Sequence, residues 1–232
     1  MESTAGGQLG WVPAGAPGDR SLEGELVTLA RLDASRHAES LFTSSHGAGS
    51  ADLWKHLPYG PFGSQGEFTT WLEKRASETD PLFYAVVDRE SRRALGMASY
   101  LRIVPDHGVI EIGHIWFAPS LQRTRQATEA IFLLAMHAFD DLGYRRLEWK
   151  CDSLNEPSRR AAHRFGFIYE GVFRQHMVVK GRNRDTAWFA MTNGDWPLRK
   201  AAFEAWLAPG NFDATGRQRE SLSDMREALE QK

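Results

Sequence analysis

The stretch EIGHIWFAPSLQRTRQATEA (111–130) joins a strand pattern directly to a helix pattern. It overlaps Val109–Phe117, a nearly continuous apolar run that is typical of a strand in the centre of a sheet. After Pro119 a polar loop leads into residues 126–142, where apolar side chains recur at helical spacing, and Gly143 predicts the helix end. The start of such a helix presents unpaired backbone N–H groups and a positive dipole end, which favour a bound phosphate group.

Two apolar stripes run along this predicted helix. One consists of Ala127, Ile131, Leu134, Ala138 and Leu142, and the other of Phe132, Met136 and Phe139. A single stripe would be enough to pack the helix on a sheet. The second stripe predicts that another element covers the helix on its outer side.

Strand and helix patterns continue on both sides of the junction. The predicted strands are 26–32, 82–88, 94–104, 109–117, 145–151, 169–179 and 184–191, and the last two are joined by a turn at 180–183. The predicted helices are 33–43, 65–77, 126–142 and 156–165. This alternation predicts an α/β (α+β) domain with a mixed central sheet of about six to seven strands, flanked by helices.

The length of 232 residues suits one domain with additional segments at its ends. Residues 1–20 are rich in Gly, Ala and Pro and predict a flexible leader, whereas 21–197 form the domain. Residues 198–232 end in a polar, charged segment and are expected to be a helical or partly disordered extension.

Composition excludes several classes of protein. A formal net charge of −2 argues against a nucleic-acid-binding protein, although Lys180, Arg182 and Arg184 form a small basic cluster. The single cysteine, Cys151, excludes an internal disulfide framework and a cysteine-based zinc cluster, and no other pattern suggests a metal site. No apolar run is long enough to span a membrane, and the N-terminus lacks a signal-peptide pattern, so a cytoplasmic protein is expected.

The polar loop at 122–128 has two interpretations from its local sequence. It is either a solvated connection or a phosphate-binding turn to which Arg123 and Arg125 add positive charge. The GxGxxG and GxxxxGK[ST] patterns are absent, which disfavours dinucleotide and nucleoside-triphosphate sites.

Several segments, in a fixed order, resemble the GNAT acetyltransferase superfamily, and specifically its Rim-type ribosomal-protein N-acetyltransferase branch. They are LWKHLPYGPF (53–62), EIGHIWFAPSLQRTRQATEA (111–130), LGYRRLEWKCDSLNEPSRRAAHRFGFIYEG (142–171) and FRQHMVVKGRNRDTAWFAM (173–191). The resemblance covers most of residues 22–197. It implies the GNAT fold, acetyl-CoA as co-substrate without a metal, and acetyl transfer to a primary amine.

The resemblance also implies a set of coenzyme-binding residues. The loop matches the pyrophosphate-binding pattern [RQ]-x-x-G-x-[GA], with Arg125 in place of the usual glycine. The implied set is Ile115, Trp116, Phe117, Gln122, Arg123, Thr124, Arg125, Gln126, Ala127, Thr128, Asn155 and Ser158. Asn155 is equally suited to cap the helix that follows it, and the two roles are compatible. One of Arg159, Arg160 and Arg164 is a further candidate for the coenzyme phosphates, or all three are solvated.

Two residues are candidates for proton transfer. Glu111 is the only carboxylate in an apolar strand, on the predicted face of Gly113, Ile115 and Phe117, and is either a general base or part of an ion pair. The family's usual tyrosine acid aligns with Ala162 in this chain. Ser158 lies one helical turn earlier and is therefore the candidate acid, or else only a residue of the helix cap region.

The amine acceptor is left open between a protein or peptide N-terminal α-amine and a small aminoacyl compound. The resemblance places the loop with Trp54, Tyr59 and Phe62 beside the acceptor, while His114 and His176 are expected to be structural. An acyl-CoA-binding module without catalysis is the alternative from another functional class. No membrane partner is expected, and an oligomer is possible.

Overall fold

Eight strands form one mixed sheet in the computed structural model, which describes residues 10–47 and 49–231. In chain order the strands are β1 (Leu22–Glu23), β2 (Val27–Arg31), β3 (Leu82–Asp88), β4 (Ala94–Val104), β5 (Val109–Phe117), β6 (Arg146–Asp152), β7 (Ile168–Val179) and β8 (Arg182–Thr192). Their order across the sheet is β1-β2-β3-β4-β5-β6-β8-β7, and β5–β6 is the parallel pair. The predicted mixed sheet is confirmed. The strand beyond the predicted six to seven is the two-residue β1, which is too short to leave a periodic pattern.

Six α-helices flank the sheet within the described part of the chain. They are α1 (Ala34–His46), α2 (Gln65–Ala76), α3 (Arg125–Met136), α4 (Glu156–Arg164), α5 (Trp196–Leu207) and α6 (Leu222–Glu230). Side chains that accept a backbone N–H bond cap the first four, as expected for Asp, Ser, Thr and Asn at this position. A π-helical turn at His137–Asp141 continues α3, which accounts for the longer helix predicted there.

The sheet separates two hydrophobic clusters. The larger contains buried residues of α3, α5 and the sheet, such as Ile112, Leu134 and Phe203. The smaller lies under α1 and α2 and includes Phe68 and Trp116. No helix of the described residues is both long and apolar enough to cross a bilayer.

Helix α5 is the cover predicted for the outer side of α3. Phe132 lies with its ring centroid 6.1 Å from that of Trp196 and 5.4 Å from that of Phe203. The predicted domain boundary at residue 197 therefore falls inside a helix that helps to bury α3. Helix α6 is attached as well, because the Arg226 guanidinium donates to the carbonyl oxygens of His163 and Arg164. Residues 198–231 are thus packed against the domain.

The predicted leader lies partly outside the described residues, which begin at residue 10. Within the described part, the chain is held to the domain rather than free. The Trp11 indole N–H donates to the Asp106 carbonyl at 2.8 Å, and the Gly15 N–H donates to the Leu142 carbonyl at 2.8 Å. These hydrogen bonds therefore order the segment. Its amino-acid composition could not indicate them.

Strands β5 and β6 separate beyond their shared start. Their parallel pairing ends with Ile112 opposite Trp149, although β5 continues to Phe117 and β6 to Asp152. A bulge accompanies the separation, because His114 and Ile115 together face one residue of β4, and His114 has a φ of 50°. The separation opens a gap through the sheet.

The bulge changes which side chains share a face. Ile112 packs in the α3 cluster, so its neighbour Glu111 points to the α1 and α2 side. Beyond the bulge, Ile115 and Phe117 pack against the α3 cluster, whereas Trp116 packs in the other. The prediction that Glu111 shares a face with Ile115 and Phe117 was therefore wrong, since it assumed unbroken alternation.

The β7–β8 hairpin reaches across the gap toward the loop before α2. Its turn is only two residues long, with positive φ at Lys180 (49°) and Gly181 (74°), which suits the twist of a tight hairpin. Strand β8 consequently begins two residues before the predicted start. The Lys180 Nζ donates to the carbonyl oxygens of Trp54 at 2.8 Å and Gly60 at 2.7 Å, which fixes the hairpin over the loop.

Candidate active site

A cavity of about 1050 Å³ occupies the gap between β5 and β6. Its wall includes residues from both faces of the sheet, and we name its two ends by the elements that form them. The helix end comprises Gln122, Arg123, Thr124, Thr128, Arg160 and Arg164. The hairpin end comprises His56, Arg102, Glu111, Lys150, His176 and Arg184. Ser158, Asn155, Ile115, Trp116 and Phe117 also line the cavity.

The start of α3 is arranged as an anion site. Thr124 caps the helix: its Oγ1 accepts from the Ala127 N–H at 3.1 Å and donates to the Leu121 carbonyl at 2.6 Å. Among the described residues, the backbone N–H groups of 123–126 have no hydrogen-bond acceptor. Arg123 adopts a φ of 62° and is exposed at this turn. Free N–H groups at a helix start are suited to phosphate oxygens.

Arg125 does not belong to the cavity wall, and neither does Gln126. The Arg125 guanidinium lies 4.4 Å from the Phe212 ring centroid and donates to the Leu207 carbonyl at 2.7 Å. The predicted contribution of its charge to the phosphate site is therefore corrected. The carbonyl at the end of α5 and an aromatic ring hold the side chain instead, and both lie more than 80 residues away in the chain.

Arg164 lines the cavity, whereas Arg125 does not. Its guanidinium donates to Thr128 Oγ1 at 3.1 Å and lies 4.7 Å from the Trp206 ring centroid. Burial lowers the pKa of Arg164 to about 10, so it remains protonated at neutral pH. Arg160 also lines the cavity, whereas Arg159 does not and pairs with Glu156 at 3.0 Å. The sequence could not choose among these three because it does not show where α5 lies.

Asn155 and Ser158 lie at the start of α4, beside the middle of the cavity. The predicted cap is confirmed, because Asn155 Oδ1 accepts from the Ser158 N–H at 3.2 Å. The Ser158 Oγ accepts from the Trp149 indole N–H at 3.0 Å. Burial raises the pKa of the Cys151 thiol, which keeps it neutral. An indole N–H donated to a hydroxyl oxygen stabilises negative charge on that oxygen and so favours release of its proton.

Glu111 is buried, with 5% of its surface exposed, and forms the ion pair that the sequence left open. Its Oε2 lies 2.9 Å from the Lys150 Nζ and 3.5 Å from an Arg102 guanidinium nitrogen. The Lys150 Nζ is also 2.5 Å from Glu148 Oε2 and 3.8 Å from the Trp188 ring centroid. The ammonium is thus enclosed by two carboxylates and an aromatic face.

The two carboxylates around Lys150 differ in their readiness to take a proton. Burial raises the pKa of Glu111, and the charge of the adjacent Lys150 only partly opposes this effect. Glu148 is also desolvated, but hydrogen bonds from Lys150 and Arg146 outweigh burial and lower its pKa. Carboxylates whose environments push their pKa values apart are the usual sign of an acid–base assignment. Glu111 is the member of the pair with the higher affinity for a proton.

The aromatic residues predicted to border the acceptor turn away from the cavity. Trp54 is 2% exposed and donates its indole N–H to the Ser45 carbonyl at 3.0 Å. The Tyr59 ring lies 4.4 Å from that of Trp71, and Phe62 lies 5.6 Å from Trp54. All three fill the aromatic cluster between α1, α2 and the sheet, so none of them lines the cavity, which is a correction. Their neighbours Leu53, His56, Leu57 and Pro58 line it instead.

Three histidines, His56, His114 and His176, line the cavity, which local patterns did not indicate. The His56 Nδ1 lies 3.4 Å from Asp152 Oδ2, and the His176 Nδ1 lies 2.9 Å from Thr186 Oγ1. Burial, reinforced by the charges of Arg75 and Arg184, lowers the pKa of His114 to about 4, so its ring is neutral. No set of three His, Cys, Asp or Glu side chains in the described residues is placed to hold a metal ion.

Comparisons with known proteins agree with this architecture. Residues 27–168 match the acetyltransferase (GNAT) domain family. The crystal structure of a GCN5-related N-acetyltransferase from Brucella melitensis is 47% identical, with a TM-score of 0.92, and the match covers 94% of this chain and 99% of that one. The structure of the acetyltransferase MccE with acetyl-CoA and AMP has a TM-score of 0.64 at 20% identity, covering 73% of this chain and 93% of that one, and shows a likeness of fold alone.

Curated relatives match over a shorter range. YdaF of Bacillus subtilis (strain 168), whose name describes it as a candidate ribosomal N-acetyltransferase, is 29% identical over 105 residues. That match covers 45% of this chain and 57% of YdaF, so the chain spans little more than half the length of this relative. The family match nonetheless includes β2 to α4 and thus both strands of the gap. The chain therefore belongs to the GNAT acetyltransferase family.

Proposed function

We propose that the protein is an acetyl-CoA-dependent N-acetyltransferase that acetylates a primary amine, either a protein or peptide N-terminal α-amine or a small aminoacyl compound. The observation that carries this proposal is the cavity through the sheet, with a basic anion site at one end and a buried carboxylate at the other. The anion site suits a polyanionic coenzyme, and the buried carboxylate supplies a proton acceptor for the amine.

The coenzyme occupies the helix end in this proposal. Its pyrophosphate binds the N–H groups at 123–126, and Arg123, Arg160 and Arg164 supply compensating charge. The pantetheine arm follows the edge of β5 at Ile115–Phe117, where β6 has diverged and left this edge of the strand unpaired. Asn155 and Ser158 then lie beside the thioester. Residues 125 and 126 contribute backbone N–H groups only.

The chemistry is direct transfer between thioester and amine. A neutral amine nitrogen attacks the acetyl carbonyl, the new C–N bond forms, and the C–S bond breaks. Glu111 accepts the amine proton, directly or through water, since burial has raised its pKa. A backbone N–H on the free edge of β5 stabilises the developing oxyanion. The Ser158 hydroxyl protonates the departing thiolate, with the Trp149 N–H stabilising its oxygen.

The name of one relative bears on the choice of acceptor. YdaF is named as a candidate ribosomal N-acetyltransferase, which is compatible with a protein acceptor. Both acceptor classes present an α-amino group next to a carbonyl. We therefore keep both as candidates for this chain.

The test is an acetyl-CoA turnover assay on an amine panel, read by mass spectrometry. The panel contains peptides with varied first residues and aminoacyl-sulfamoyl nucleosides, and calorimetry measures acetyl-CoA binding in parallel. A mass increase of one acetyl group on at least one class is expected. Binding without acetylation of any amine would identify a non-catalytic acyl-CoA module, and absence of binding at millimolar acetyl-CoA would refute the coenzyme assignment.

A further inference from the structure

Arg184 lies in the cavity wall at the hairpin end, on the part of β8 that extends past β6. Pairing between β6 and β8 ends with Asp152 opposite Thr186, so Arg184 is beyond the last paired residue. Ala187 and Phe189 pack in the α3 cluster. Alternation along the strand therefore directs Arg184, together with Thr186 and Trp188, to the face of α1 and α2. This is the face toward which Glu111 also points.

The Arg184 charge has no counter-charge within the described residues. Among these residues, no Asp or Glu oxygen lies within 4.0 Å of an Arg184 guanidinium nitrogen, the distance that defines an ion pair. The buried Arg184 Nε also has no hydrogen-bond acceptor among them. Partial burial removes some of the hydration of this guanidinium, and no carboxylate of the described residues compensates the loss. A ligand that supplies an acceptor would compensate this loss.

The acidic groups nearest to Arg184 do not compensate its positive charge. Glu111 is held by Lys150, and Asp152 accepts from the Leu154 N–H at 2.9 Å and faces His56. Asp185 follows Arg184 directly but turns away, where it accepts from the Gln175 N–H at 2.7 Å and the Asn183 amide at 2.9 Å.

The neighbouring histidine rings carry no charge that could pair with Arg184. Burial lowers the pKa of His176, as do the charges of Arg102, Arg184 and Lys150, so this ring is neutral like that of His114. Asp52, the remaining acid in the cavity wall, is exposed on the loop before α2. The hairpin end consequently offers a basic, partly desolvated guanidinium beside neutral hydrogen-bonding rings.

We infer that Arg184 binds an anionic group of the acceptor, so that the substrate is a primary amine bearing a carboxylate or phosphate near its amino group. The planar fork of a guanidinium suits both anions. The same charge repels polycationic amines, which gives selectivity against them. This inference rests on the proposed acetyl transfer and narrows its acceptor class.

Matched amine pairs test the inference on the full-length protein. Glycine is compared with glycinamide, O-phosphoethanolamine with ethanolamine, and a peptide amide carrying Glu at its second position with the same peptide carrying Gln. The three pairs distinguish a free carboxylate, a phosphate and an acidic peptide. Arg184→Gln is compared with Arg182→Gln, which removes an exposed charge from the same hairpin. Acetyl-CoA affinity is measured for each protein.

The natural protein should favour the anionic member of at least one pair by about ten-fold or more in kcat/KM. Arg184→Gln should abolish that preference by slowing only the anionic amine, with acetyl-CoA affinity unchanged, and Arg182→Gln should retain it. Equal or faster reaction of the neutral members, or an equal loss for both members in Arg184→Gln, would overturn the inference while leaving acetyl transfer intact. Weaker acetyl-CoA binding in Arg184→Gln would assign the residue to the coenzyme instead. Absence of acetylation with every amine would overturn the proposed function as well.

Discussion

The two ends of the cavity are built in different ways. The core of the helix end is one short run, Gln122–Thr128, and its anion site consists of backbone N–H groups to which arginines add charge. The hairpin end gathers side chains from the loop before α2, from β4, β5 and β6, and from the β7–β8 hairpin. Its acids and bases are mostly paired with one another. In the proposed function, the helix end binds the coenzyme, which is the same in every reaction, whereas the hairpin end controls protonation and selects the acceptor.

Glu111→Gln is expected to have the largest effect, and it acts at the hairpin end alone. Loss of a general base lowers kcat by about 10²–10⁴-fold. Acetyl-CoA affinity should be unchanged, because the carboxamide is on the opposite side of the gap from the phosphate site. Steady-state kinetics and calorimetry check the two halves of this prediction. Unchanged turnover between pH 6 and 9 would remove Glu111 from the mechanism.

The pH profile provides an independent check on Glu111. Its pKa is raised in the folded protein, so the active carboxylate is lost as pH falls through that raised value. The acid limb of kcat/KM should therefore lie above the ordinary pKa of a glutamic acid, and activity should increase with pH across it. In Glu111→Gln this limb should disappear. A limb at the ordinary position would show that another group is the base.

Phe203→Ala tests whether helix α5, which covers α3, contributes to the stability of the fold. Phe203 is 1% exposed in the cluster over α3, so truncation should reduce the free energy of unfolding by about 3–5 kcal/mol. Phe173→Ala is the control, since that ring is 53% exposed on β7 and its loss should change stability by about 0.5 kcal/mol or less. Chemical denaturation measures both. If Phe203→Ala loses no more stability than Phe173→Ala, α5 contributes little to the stability of the fold.

The contrast between a site formed by one short run and a site formed by distant segments also explains what could be predicted from the sequence. The β5-to-α3 junction, the Asn155 cap and the mixed sheet follow from local periodicity and capping, which neighbouring residues determine. The side-chain assignments failed where distant segments decide them. Arg125 is drawn to Leu207 and Phe212, Trp54 enters a core formed by α1 and α2, and the bulge at His114 reverses a face. Pairing of His56 with Asp152 joins residues 96 positions apart, beyond any local pattern.

Arg123→Gln and Arg125→Gln should separate two residues to which the sequence analysis assigned the same role at the phosphate site. Arg123 lines the cavity, so its replacement should weaken acetyl-CoA binding by about 1–3 kcal/mol. Arg125 bonds the end of α5, so its replacement should lower the melting temperature and leave coenzyme affinity nearly unchanged. Calorimetry and thermal unfolding distinguish them. Equal loss of affinity in both variants would return Arg125 to the phosphate site.

Ser158→Ala is expected to give the smallest of these effects. Without the hydroxyl, kcat should fall by about ten-fold while acetyl-CoA affinity is retained, because the Asn155 cap uses the Ser158 backbone N–H and survives. Trp149→Phe removes only the hydrogen bond to Oγ and should reduce kcat less, when compared at a temperature where it is folded. Normal turnover in folded Ser158→Ala would indicate that solvent protonates the thiolate.

A crystal structure of the protein with acetyl-CoA tests the central claim that the gap between β5 and β6 connects the coenzyme to the acceptor. We expect pyrophosphate oxygens within hydrogen-bond distance of the N–H groups at 123–126. The thioester should lie between the free edge of β5 and Ser158, and the acetyl group should point toward Glu111. A coenzyme bound elsewhere, or one whose acetyl group lies on the α3 side of the sheet and cannot reach the hairpin end, would contradict the account.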